Sequence, residues 1–128
     1  MKESMIQGVS DVFLPVSDLD RSIEWYSTML GLNLRFKDDE NKSAGMNTGN
    51  DIGLCLVQVK NHKPLAFPEN DFLTEITFNF RTSEIDRLHE TLKANGVETT
   101  DIYDSLDSTF RCFTFEDCDG NKLNAVSA

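Results

Sequence analysis

The chain has 128 residues, 39% of them hydrophobic and nine of them Phe, which supplies one packed core and argues against disorder or separate cofactor and substrate domains. Lys and Arg number 12 against 22 Asp and Glu, leaving a formal net charge of -10 that repels both a phosphate backbone and an anionic bilayer. The charge thus argues against nucleic acid and membrane surfaces as partners and is compatible with a cationic or neutral small organic molecule.

The start, MKESMIQGVSD, has no apolar stretch of the secretory kind, and no later run approaches a membrane span. Strand character begins at Asp11-Val-Phe-Leu-Pro-Val16, where Val12, Leu14 and Val16 share one face and Asp11, Phe13 and Pro15 the other. Pro15 favours an edge position, since it cannot donate to a ladder. The next stretch, SDLDRSIEWYSTMLG, predicts a helix capped by Asp18 or Asp20, with Ile23, Tyr26 and Leu30 at helical spacing and Gly31 as its stop. Tyr26 belongs to the core and Trp25 to its fringe or an interface. Strands are expected at about 32–37, 43–48 and 52–60.

Residues 61–71, NHKPLAFPEND, read as a connector. The first pattern then returns. Ile76, Phe78 and Phe80 alternate, Thr82 or Ser83 can cap a second helix carrying Ile85, Leu88 and Leu92, and Gly96 ends it. Strands at roughly 97–104, 109–116 and 122–127 complete the half. The order is β-α-β-β-β twice, over about 8–60 and 72–127, an internal duplication within a single domain. Cys55, Cys112 and Cys118 are odd in number and lack CxxC spacing, so a reducing cytoplasm and no disulfide framework are expected. Cys55 is assigned to the helix-facing side and Cys112 to the opposite one. The only histidines are His62, expected in an exposed connector between Lys60 and Lys63, and His89, expected on the second helix at the core's edge.

Two stretches, VFLPVSDLDRSIEWYSTMLGLNL and FTFEDCDGNKLNAV, resemble the vicinal oxygen chelate superfamily, which includes glyoxalase I, extradiol dioxygenases, fosfomycin resistance proteins and bleomycin resistance proteins. The second stretch looks like the family's Asp-Pro-Asp-Gly-Asn turn, with Cys118 where proline is common. The resemblance spans essentially the whole chain. It implies an α+β fold of tandem βαβββ modules forming a cupped mixed sheet around a groove, with helices on the outer face, often as a homodimer. It does not imply one activity, because the fold hosts many. Metal-dependent members place ligands at four positions that here hold Asp11, Gln58, Glu75 and Asn124, where His, Glu, His and Glu are usual.

Independently of the resemblance, alternation sets Asp11 opposite Val12, Glu75 opposite Ile76, Gln58 opposite Val57 and Asn124 opposite Leu123, so all four are expected to face away from the helices. Phe13, Leu54, Leu56, Thr77 and Asn79 are expected beside them, a mixture suited to an organic molecule held by a few polar contacts. Arg35 and Arg111 are the candidate anion contacts, Arg111 sharing its face with Phe113 and Phe115. The ligand-binding set is therefore Asp11, Phe13, Leu56, Gln58, Glu75, Thr77 and Asn124, with no metal and no cofactor expected. The leading function is metal-independent binding of a small organic molecule, like drug-sequestering members of the family. The alternatives are a lyase or isomerase acting on a small oxygenated metabolite, with or without an oxygen-ligated divalent metal, and a scaffold or partner-binding protein without a small ligand. Histidine-dependent glyoxalase I and extradiol chemistry are not expected, since the imidazoles are missing.

Overall fold

A computed structural model describes residues 3–49, 52–65 and 78–128. The chain divides into two compact units, Met1–Asn61 and His62–Ala128. The first contains β1 (Asp11–Val16), α1 (Leu19–Leu30), β2 (Asn33–Asp38), β3 (Ser43–Asn47) and β4 (Gly53–Gln58). The second contains β5 (Asn79–Arg81), α2 (Ile85–Ala94), β6 (Tyr103–Asp104), β7 (Arg111–Glu116) and β8 (Lys122–Val126). Each unit thus runs β-α-β-β-β, as the sequence pattern predicts. The strand order repeats as well: β1-β4-β3-β2 in one four-stranded sheet and β5-β8-β7-β6 in the other. In both, the first strand pairs parallel with the last and the remaining pairs are antiparallel. Pro15 lies on an edge strand, where its missing N–H costs no central ladder bond.

Helix α1 begins where Asp18 accepts a hydrogen bond from the Arg21 amide, and ends at Gly31 in the left-handed region at φ 72°. Its buried stripe includes Leu19, Ser22 and Tyr26, which packs under the sheet face carrying Leu14, Val16, Met46, Leu54 and Leu56. Tyr26 is fully buried and meets Trp25 edge-on at 4.9 Å. Helix α2 covers Phe113, Phe115, Leu123 and Ala125 in the same manner, through Ile85 and Leu92. His89 sits edge-on to Phe113 at 4.9 Å, while its Nε2 lies 2.8 Å from the Thr100 carbonyl oxygen. Arg111 reaches over this face to grip Asp86 of α2 through two 2.9 Å bonds, and its guanidinium holds the Asp86 carboxyl below the ordinary value.

Three local expectations are corrected. The second helix starts at Ile85, not directly after Thr82 or Ser83: Thr82 Oγ1 accepts from the Glu84 amide, and Glu84, at the cap position, spends its carboxylate on Arg87. The strand expected over 97–104 shrinks to Tyr103–Asp104 with an isolated bridge from Thr99 to Phe115. The hydroxyl of Thr100 accepts from the Thr114 amide at 3.0 Å, and a side chain in that role interrupts the backbone ladder. His62 is half-buried, not exposed, because its Nε2 meets Asn121 Oδ1 at 3.1 Å. Of the predicted connector, residues 66–71 lie outside the described residues. Among the described residues, no helix is long and apolar enough to cross a membrane.

Candidate functional site

Each sheet has one face against its helix, so the chemistry available to a ligand lies on the other. In the first unit, register reads that face directly. One row crosses the sheet as Phe13, Cys55, Gly45 and Phe36, and the next as Asp11, Gly53, Asn47 and Asn33. Phe13 is 69% exposed and Phe36 is 50% exposed, so the apolar row presents two open aromatic rings. The Phe36 ring occupies the space a Cβ would need at Gly45, which is why glycine stands there. A Cβ on Gly53 would lie 2.7 Å from Asp11 Oδ1 and 3.5 Å from Arg35 Nη1, so the missing side chain lets a carboxylate and a guanidinium converge above the strand.

Asp11 and Phe13 face away from α1, as expected. Leu56 and Gln58 do not. Leu56 is fully buried on the helix side, and Gln58 Oε1 accepts the Leu19 amide at 2.9 Å at the start of α1. The expected orientation of β4 is inverted: Leu54, Leu56 and Gln58 point toward the helix, and Cys55 points away from it. The parallel register with β1 decides this, aligning Leu14 with Leu56 and Val16 with Gln58. Cys55 comes within 3.9 Å of Asp11 Oδ1. Burial pushes its thiol pKa up, the Asp11 charge adds to that, and Arg35 opposes it. Cys55 is thus a neutral thiol at physiological pH and not an activated nucleophile. Slow alkylation by iodoacetamide at mildly alkaline pH is expected in the native protein, with a several-fold increase in Asp11→Asn; timed labelling read by peptide mass spectrometry checks both.

In the second unit, the corresponding face carries Asn79, Asn124 and Thr114 in one row, and Arg81, Val126, Cys112 and Tyr103 in the next. Asn124 faces away from α2 as expected and is only 7% exposed. Its Oδ1 accepts from the Tyr103 hydroxyl at 3.0 Å and the Thr114 hydroxyl at 3.1 Å, and those two oxygens lie 3.3 Å apart. With the oxygen held by two donors, the amide is fixed in orientation. Cys112 lies on this face too, buried, with its pKa raised by burial and then by Asp104 and Asp107. Glu75 and Thr77, the remaining predicted contacts, lie outside the described residues.

Sequence reasoning missed Tyr103 and Thr114. Alternation in RCFTFE already sets Thr114 opposite Phe113 and Phe115, so that hydroxyl was there to be found.

Of the four positions at which the resemblance implies metal ligands, Gln58 and Asn124 have their oxygens engaged within the protein, and Glu75 lies outside the described residues. The Gln58 oxygen is committed to a backbone amide on the helix side, and the Asn124 oxygen already accepts two hydroxyl donors. Among the described residues, no group of three or more His, Cys, Asp or Glu is placed to hold a metal ion.

A family model described as the Glyoxalase/Bleomycin resistance protein/Dioxygenase superfamily matches residues 8–125. The chain belongs to this superfamily. Within the superfamily it is similar to a protein named Glutathione transferase FosA from Serratia marcescens, at 29% identity over 119 residues, covering 93% of this chain and 79% of the relative. A protein named Metallothiol transferase FosB from Staphylococcus haemolyticus is 29% identical over 122 residues, covering 93% of this chain and 82% of the relative. Among solved structures, TnmS3, described as an antibiotic binding protein from Streptomyces sp. CB03234, superimposes with a TM-score of 0.74 at 22% identity, covering 96% of this chain and 97% of that one. At that identity the likeness concerns the fold alone.

Proposed function

We propose that this superfamily member binds a small organic molecule, without a metal, on the sheet faces turned away from its helices. The observation that carries the reading is the Asn124 amide, nearly buried on that face and held in one orientation by the Tyr103 and Thr114 hydroxyls. A polar side chain fixed by two neighbours is pre-organised for a ligand, because little freedom is left to lose on binding. Asp11 and Phe13 supply a carboxylate and an open ring in the first unit, and Glu75 and Thr77 join the proposed contacts by sequence position. TnmS3, as an antibiotic binding protein, supports a binding role on this fold. The transferase names of FosA and FosB favour an enzyme as the second reading; among the described residues, no group of three or more His, Cys, Asp or Glu is placed to hold a metal ion.

The test is a fragment-sized organic library read by ¹H–¹⁵N NMR. Hits are expected to shift the amides of Tyr103, Thr114 and Asn124. In Asn124→Leu, matched in size but without the amide, their affinity is expected to fall about tenfold, the equivalent of ~1.4 kcal/mol. Hits that leave these amides unmoved and bind Asn124→Leu equally well would sink the reading.

A further inference from the structure

The helix-free face of the first unit is built with a polarity of its own. We infer that it takes a small organic carboxylate, whose charged end is gripped by Arg35 and whose apolar body lies along Phe13 and Phe36. This rests on the proposed reading of these faces as small-molecule surfaces and adds the chemical class of the ligand.

A bulge creates the polarity. β2 and β3 pair as Leu34 with Met46 and then Phe36 with Gly45, so the register slips and Arg35 is the extra residue. In a regular strand Arg35 and Phe36 would point to opposite faces. Instead both turn to the helix-free side: the Phe36 ring lies on Gly45, and Arg35 Nη1 approaches Gly53 beside Asp11. A bulge that re-aims a side chain disturbs the ladder and recurs at functional positions. The two rows then differ in kind. Phe13, Cys55, Gly45 and Phe36 are apolar or neutral, while Asp11, Asn47 and Asn33 are polar, with Arg35 entering above Gly53.

The sign of the charge follows from which group is already engaged. Asp11 accepts the Ser10 hydroxyl at 2.6 Å and has the Cys55 thiol beside it. Among the described residues the ion pairs are Lys37 with Asp20 and Asp39, Arg87 with Glu84, and Arg111 with Asp86; Arg35 is in none of them. Arg35 is thus the guanidinium outside these ion pairs, and its planar fork matches a carboxylate in two parallel bonds, while the Asp11 carboxylate that converges with it above Gly53 opposes an anion and limits how closely one can seat. Arg111, the other candidate anion contact, is consumed by Asp86. An anion here is drawn by local geometry and not by the overall field, which at a net charge of -10 opposes it.

Phenylacetate, phenylacetamide and phenethylamine share a ring and differ in the charge of the end group, and each can be titrated into ¹⁵N-labelled protein. Phenylacetate is expected to shift the amides of Arg35, Phe36, Gly45 and Gly53, and to bind at least tenfold more tightly than either analogue. Arg35→Gln is expected to abolish that preference, and Arg35→Lys, which keeps the charge but loses the fork, to retain part of it. Equal binding of the three probes at these amides, or a phenylacetate preference untouched by Arg35→Gln, overturns the assignment of ligand class while leaving small-molecule binding standing. Absence of binding by all three here, with hits still found at Asn124, also overturns it; absence at both faces overturns the underlying reading as well.

Discussion

Replacing Phe113 by alanine is expected to cost about 3–5 kcal/mol of stability, the range for removing a buried aromatic ring from a close-packed core. Phe113 is fully buried, tilts against Phe115 at 5.8 Å between ring centres and meets His89 edge-on at 4.9 Å. Across the ladder it faces Ala125, whose methyl group cannot fill the space the ring leaves. Domains are stable by only about 5–15 kcal/mol, so this one change removes a large share of the total. Urea unfolding followed by circular dichroism measures it, with the denaturant slope checked for constancy. A loss below about 1 kcal/mol would mean that the sheet face under α2 is not the core of the second unit.

How far the sequence shows such a face depends on how many of a strand's sides are buried. β1 is an edge strand with one buried side, and DVFLPV alternates cleanly: Leu14 and Val16 are buried while Asp11 and Phe13 are exposed. Its orientation was legible, and so were Asp18 and Gly31 at the ends of α1, because capping depends on local chemistry. β4 lies between β1 and β3, and its first four residues, Gly53 to Leu56, are all buried. An apolar run buried on both sides carries no alternation to read. Alternation consequently sets Leu56 and Gln58 on the wrong face, and only the non-local register with β1 corrects them. Arg35 illustrates a different limit. It was visible as a candidate anion contact, but its direction depends on a one-residue slip between β2 and β3, which no local pattern encodes. Asn124, by contrast, was correctly oriented because Leu123 and Ala125 flank it on a regular alternating strand.

The β7–β8 turn is the second place where one substitution should act strongly. Asp117→Ala is expected to cost about 3 kcal/mol, since hydrogen bonds to a charged acceptor contribute roughly 1.5–3 kcal/mol each and their donors are left stranded when it goes. Asp117 is 6% exposed; its Oδ1 accepts the Asp119 and Asn121 amides, both at 2.9 Å, and its Oδ2 accepts Asn121 Nδ2 at 3.0 Å. Gly120, at φ 79°, lets the chain close the turn around that carboxylate. Asn121, itself 2% exposed, passes the restraint on through Oδ1 to His62 Nε2. Asp117→Asn keeps one acceptor but sets an amide donor against the Asn121 amide, so a smaller loss of about 1.5 kcal/mol is expected. Urea unfolding ranks the two variants, and hydrogen exchange at the amides of Asp119 and Asn121 reports whether the turn itself has opened. The consequence reaches the proposed site, because β8 leaves this turn at Lys122 and carries Asn124 two residues later. If both variants unfold like the parent and exchange at those amides is unchanged, the turn does not hold the start of β8, and the orientation of Asn124 rests on Tyr103 and Thr114 alone.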